Sequence, residues 1–146
     1  MEFDVLLASD GSENALRAAE YAIGLAALTP KIKVTVLVVN DILEKIKDYL
    51  PLRSPVALEE IEDVFREKAQ AALNKTLELF KKHQVPVEGV IRMGNPAQET
   101  ADFAREGGYS QVVIGSRGMG SLKGIVLGSV SSKVIHLSPV PVTVVK

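Results

Sequence analysis

Of the 11 glycines in the chain, five fall between Gly115 and Gly128, within the segment GSRGMGSLKGIVLGSVSS. A glycine puts no Cβ between the backbone and a ligand, so its N–H group can approach an anion closely. The segment runs into a predicted helix near Gly128–Ser129. The first N–H groups of a helix lack intrahelical acceptors and carry a partial positive charge. Ser129 and Ser131 add hydroxyl donors, and Arg117 and Lys123 add formal positive charge. A loop of this make-up can hold a polyphosphate. A plain glycine-rich connector would have the same composition, but this loop leaves the carboxyl end of a predicted strand, where open α/β sheets take their ligands.

Two standard phosphate motifs are excluded. A P-loop requires Ser or Thr after its lysine, and Lys123 is followed by Gly124. The dinucleotide fingerprint should open the first helix, yet the first strand is followed by SDGSEN. Groups for catalysis are scarce. There is no cysteine, so thiol nucleophiles, thiolate metal sites and disulfides are excluded. The two histidines, His83 and His136, fall in the last turns of predicted helices, where a cation is favoured by the dipole. No G-x-S-x-G elbow, H-E-x-x-H helix or ligand-spaced cluster is present. No catalytic residue is assigned, and any hydrolysis of a bound polyphosphate would rest on positioning and metal charge and be slow.

These residues need a scaffold, and the chain alternates strand and helix patterns. Predicted strands cover Phe3 to Ser9, Ile32 to Asn40, Val85 to Arg92, Ser110 to Gly115 and Val140 to Val145. The first helix spans about Glu13 to Leu28, with Ser12 as N-cap and Pro30 closing it. Residues 41–58 read as a short helix interrupted by Pro51 and Pro55, and a long helix follows from about Glu59 to His83. The next helix has Asn95 as N-cap, Pro96 at its first position and Gln98 placed to close a capping box; Gly107–Gly108 supply a left-handed end. A final helix ends near Pro139. Such alternation implies parallel pairing with right-handed crossovers: an α/β three-layer sandwich around a five-stranded, mainly parallel, doubly wound sheet.

The 146 residues suit one domain spanning 1–146, and 47% apolar with 24% charged residues is an ordinary globular balance. A formal net charge of −1 gives no electrostatic reason to expect a nucleic-acid or anionic-membrane partner. The opening MEFDVLLASDGSE carries acids rather than a basic region, so it does not read as a signal peptide, and no apolar run approaches the ~20 residues of a membrane span. A cytoplasmic location is expected.

The spacing Gly115-x2-Gly118-x9-Gly128-Ser129 resembles the ATP-binding signature of universal stress proteins, without a gap. LLASDGSENA at the start, Gly94-Asn95-Pro96 in the middle and SPVPVTVVK at the end are similar to that family's other markers, so the resemblance covers the whole chain. It implies a Rossmann-like fold of the adenine nucleotide α-hydrolase-like group, in which the first and fourth strands are neighbours. It also implies that Gly115, Gly118, Gly128, Ser129, Val130 and Ser131 surround the phosphates and ribose of ATP. Ala8 and Ser9 would lie near the adenine, with the Val39 backbone reading its edge. Asp10 would meet the ribose or a phosphate-bound Mg²⁺, since a carboxylate beside phosphates needs a bridging cation or a sugar contact. Asp10 also suits a turn before the first helix. Arg117 reads equally as a phosphate contact or a solvated loop charge. Asn40 and Asp41 could reach the ribose, although a strand-end turn explains them as well.

The resemblance therefore implies an ATP-binding regulatory protein whose nucleotide state biases its conformation or its association with an unknown partner. The alternative is a slow ATPase or adenylating enzyme of the wider group. Those enzymes place S-G-G-x-x-S after the first strand, where this chain has Ser9-Asp10-Gly11-Ser12, with an acid in place of the first glycine. The last strand, VPVTVV, is apolar and flanked by prolines that cannot donate to a ladder, which suits an edge. Universal stress proteins commonly dimerise through this strand. The expected assembly is a two-fold homodimer in which Val142 and Val144 meet their counterparts.

Overall fold

Runs of Val, Leu and Ile long enough to be covered on both faces build the centre of a parallel sheet. The computed structural model describes residues 2–48, 55–118 and 127–146. Lys123, Gly120, Gly124 and Pro51 lie outside the described residues. Strands β1 (Phe3–Ala8), β2 (Ile32–Asn40), β3 (Glu88–Met93), β4 (Gln111–Gly115) and β5 (Val142–Val145) alternate with helices α1 (Glu13–Ala26), α2 (Ile42–Lys45), α3 (Pro55–Lys82), α4 (Pro96–Glu106) and α5 (Ser129–Leu137). A single 3-10 turn, Ile46–Asp48, follows α2.

The strands form one sheet in the order β3-β2-β1-β4-β5, and every pairing is parallel. β1 is central: Leu7 stands in register with Val36 on one side and Val113 on the other. The direction of winding reverses between β1 and β4, which opens a crevice at the carboxyl ends of those strands. Strand alternation feeds two cores. Val5, Leu7 and Val36 face Ala18 and Ala22 of α1 and Phe80 of α3. Leu6, Leu37 and Val112 face Ala97 and Ala104 of α4 and Val134 of α5. The result is the expected three-layer α/β sandwich.

Local signals set the helix ends. Ser12 accepts the Ala15 N–H, a cap worth about 1 kcal/mol. Asn95 accepts the Gln98 N–H with Pro96 at the first position. The capping box does not close, however: the Gln98 amide turns along the helix to Asp102 at 2.9 Å. With Arg105 on the same carboxylate, these hydrogen bonds hold Asp102 below the usual carboxylate range. Gly108, at φ 63°, supplies the left-handed end of α4, while Gly107 remains right-handed.

Several boundaries differ from expectation by one or two residues, and two differ by more. Helix α3 starts at Pro55 rather than near Glu59, because proline in the first helical turn gives up no hydrogen bond. Strand β3 begins at Glu88 rather than Val85. Gln84, at φ 57°, turns the chain, the Val85 N–H returns to Phe80, and Pro86 has no N–H to offer a ladder.

Candidate functional site

A cavity of about 480 Å³ lies over the carboxyl ends of β1, β2 and β4. All eleven residues assigned to the nucleotide from the sequence line it: Ala8, Ser9, Asp10, Val39, Gly115, Arg117, Gly118, Gly128, Ser129, Val130 and Ser131. Asn40 and Asp41 also reach it. Asn40 is occupied as a turn residue, its Oδ1 accepting the Ile42 N–H at 3.1 Å. His83 and His136 are not among the lining residues, and the His83 ring lies 2.9 Å from the Leu79 carbonyl at the end of α3.

Asp10 is both a turn residue and a wall of the cavity. Its Oδ1 accepts the Ser12 N–H at 2.9 Å, which shapes the entry into α1. Its Oδ2 faces Gly118, where any Cβ would strike it. The β1–α1 turn and the start of the glycine-rich loop are thus in direct apposition.

Gly115 owes its identity to packing. A Cβ there would lie 2.7 Å from the carbonyl carbon of Asn14 and 2.8 Å from its oxygen, so α1 can approach β4 only over a glycine. Gly115 lines the cavity, but the forbidden volume belongs to helix backbone and not to a ligand.

The loop is fixed at both ends through Ser116. Its N–H donates to Val145 at 2.7 Å, and its hydroxyl accepts from the Asn14 amide at 3.2 Å. Its carbonyl accepts from the Gly128 N–H at 2.6 Å and the Ser131 hydroxyl at 2.8 Å. This changes the role expected of Ser131. Its hydroxyl proton closes the loop instead of pointing to a ligand, and its side chain is 2% exposed. The N–H groups of Ser129, Val130 and Ser131 open α5 and have no acceptor within it. All three residues line the cavity, at the positive end of the helix.

Val142 and Val144 lie on β5, which is an edge strand as its composition suggested. Both are half-buried against the core beneath α4 and α5, away from the cavity.

The universal stress protein family model matches residues 3–146. The chain belongs to the universal stress protein family. It is 30% identical to universal stress protein MJ0531 of Methanocaldococcus jannaschii over 142 residues, covering 97% of this chain and 81% of that one. It is likewise 30% identical to MJ0577 of the same organism, covering 97% and 93% of the two chains. A solved structure of MJ0577 superposes with a TM-score of 0.81, over all of this chain and 96% of that one. A solved universal stress protein from Archaeoglobus fulgidus in complex with dAMP shares the fold at a TM-score of 0.70 and 23% identity, covering 100% and 98% of the chains.

In this universal stress protein the second wall of the cavity escaped sequence reasoning. Helix α3 contributes Phe65, Lys68, Ala69 and Ala72, and Lys45 reaches in from α2. On the opposite side α4 adds Pro96 and Thr100, whose hydroxyl is tied to the Pro96 carbonyl at 2.7 Å. A helical wheel shows Phe65, Ala69 and Ala72 only as part of one apolar stripe. Nothing in the periodicity says that the stripe runs past the sheet and into the cavity. Among the described residues no cluster of three potential metal ligands exists.

Proposed function

We propose that this universal stress protein binds an adenine nucleotide, ATP with Mg²⁺ foremost, and that occupancy biases its conformation or its association with a partner in the cytoplasm. One observation carries the reading. The first N–H groups of α5, Gly118 and the Asp10 carboxylate converge on one cavity at the topological switch point. Donors at a helix start suit phosphates, and an acid opposite them suits a sugar hydroxyl or a bridging cation. Solved proteins of the family and fold hold AMP in Arabidopsis thaliana, dAMP in Archaeoglobus fulgidus and, in a third case, cAMP, which supports an adenine nucleotide as the ligand class.

The residues fit a magnesium ion of the nucleotide-borne kind. Mg²⁺ takes oxygen ligands and is usually held by one or two carboxylates together with substrate phosphates. Asp10 is the carboxylate that would hold it, and the ion would supply charge neutralisation between Asp10 and the phosphates. Micromolar affinity, about −8 kcal/mol, is expected. The test is the identity of nucleotide released on denaturing the purified protein, followed by calorimetry with ATP, AMP and adenosine. A protein that carries no nucleotide and gives no heat with any of the three would overturn the reading. Turnover should lie far below the enzyme median of ~10 per second, and sustained hydrolysis near that rate would show that a catalytic group had been overlooked.

A two-fold homodimer through β5 belongs to the same proposal. The strand is an unpaired edge, and Ile135 and Leu137 of the adjoining helix are 46% and 37% exposed. Val142 and Val144 are already half-buried against their own core, so each would contribute less than the roughly 1.5–3 kcal/mol of a fully buried Val side chain. Sedimentation should give a dimer at tens of micromolar and a monomer for Val144→Lys; a monomeric parent or a dimeric variant refutes the interface.

A further inference from the structure

A chain of buried hydrogen bonds fastens the Asp10 turn to α3, and its direction is fixed by chemistry. Ser9 and Thr76 lie 67 residues apart, and their hydroxyl oxygens are 2.8 Å from each other. The Thr76 hydroxyl is also 2.8 Å from the Ala72 carbonyl, which can only accept, so Thr76 directs its one proton there. The Thr76 oxygen then accepts from Ser9. The Ser9 oxygen in turn accepts the Gly11 N–H at 3.2 Å. The sequence of donations runs Gly11 to Ser9, Ser9 to Thr76, and Thr76 to Ala72.

The chain closes on itself in space. Gly11, at φ 77°, lies directly against Ala72: a Cβ on Gly11 would sit 3.0 Å from the Ala72 Cα and 3.1 Å from its Cβ. Thr76 is completely buried, and Ser9 is only 8% exposed where it lines the cavity, so both hydroxyls are largely shielded from solvent. Asp10 is the residue between the two clamped positions, Ser9 and Gly11. Ala72 and Ala69, on the same stretch of α3, line the cavity, whereas Thr76 is not among its lining residues.

We infer that Thr76 is the positioning residue of the Asp10 turn: through Ser9 it fixes the place of the Asp10 backbone and the separation between β1 and the α3 wall. The clamp stands on geometry alone; its consequence for affinity rests on the nucleotide-binding reading above.

The experiment uses the full chain in four forms: parent, Thr76→Val, Thr76→Ser and Val112→Ala. Val112 is fully buried in the other core and does not line the cavity, so it reports general destabilisation. In the ligand-free protein, amide exchange at Gly11 and Ser12 should rise about tenfold or more in Thr76→Val, but not in Thr76→Ser or Val112→Ala. ATP affinity by calorimetry should fall about tenfold in Thr76→Val and stay within about twofold in the other two. If Thr76→Val does not fold, Ser9→Ala breaks the same chain from its other end and should give the same exchange pattern. Exchange at Gly11 and Ser12 no faster than in Val112→Ala would overturn the clamp. Faster exchange with unchanged ATP affinity would overturn the positioning role. If the parent binds no adenine nucleotide, the functional reading fails by itself, and the exchange measurement still decides the clamp.

Discussion

The two long walls of the cavity are built from different material. On the β4–α5 side the wall is mostly small residues at a helix start, Gly118, Gly128, Ser129, Val130 and Ser131, with Arg117 beside them and a loop whose ends are fixed through Ser116, so that backbone makes up much of it. On the α3 side it is side chain: Phe65, Lys68, Ala69 and Ala72. A backbone wall offers donors of fixed direction at the positive end of a helix, and these recognise what all phosphate esters share. A side-chain wall offers volume and charge, which distinguish one nucleotide from another. The β4–α5 wall is therefore where binding as such should be lost by mutation, and the α3 wall is where selectivity should be altered.

The contrast is sharpest at two glycines three residues apart in the backbone wall. Gly115→Val places carbon within 2.8 Å of Asn14 backbone, which cannot move without shifting α1 on the sheet. Overpacking of this kind costs about 1–3 kcal/mol, and a clash with helix backbone belongs at the upper end. Urea unfolding should show a large loss of stability, and a variant as stable as the parent would contradict the packing explanation of Gly115.

Gly118→Val should behave differently. The atom its Cβ meets is the Asp10 Oδ2, a side-chain atom and not helix backbone, so the cost to the fold should be smaller than that of Gly115→Val. The cavity between Asp10 and the start of α5 would be filled by the β-branched side chain. ATP affinity should drop tenfold or more, which is about 1.4 kcal/mol or above. Calorimetry decides it, and equal affinity in a folded variant would remove Gly118 from the site. Together the two variants separate a glycine required by its own fold from one required by its ligand.

That separation also marks how far the sequence could be read. The layers, the parallel sheet and the backbone wall were legible because they rest on local signals. These are apolar runs of strand length, caps at Ser12 and Asn95, and glycines at fixed spacing before Ser129. The glycine pattern could not tell that Gly115 serves α1, since its neighbour Asn14 lies on a different element about a hundred residues away. Ser131 read as a donor to phosphate because its type allows it; only the position of the Ser116 carbonyl shows that the proton is committed. The α3 wall and the Ser9–Thr76 pair were hidden for one common reason. Both depend on how far α3 slides along the sheet and how it is rotated, and a helical stripe specifies a face but not an axial position.

The mildest expected effect tests the side-chain wall. Lys68 is exposed in the cavity lining, and among the described residues no ion pair involves it. Its neighbours on the same wall, Phe65, Ala69 and Ala72, carry no charge, so its ammonium group is the cation that α3 presents to a ligand. Lys68→Met removes the charge while keeping a long apolar stem, which isolates electrostatics from packing. An exposed charge contributes about 0.2–1 kcal/mol, so ATP affinity should fall by no more than about fivefold. The loss should grow with ligand charge, from none for adenosine, through AMP, to ATP. It should shrink as salt is raised, because the screening length falls to about 8 Å at 0.15 M. A loss equal for adenosine and ATP would mean that the α3 wall acts through shape alone. A loss for ATP as large as that of Gly118→Val would erase the division between a wall that binds and a wall that selects.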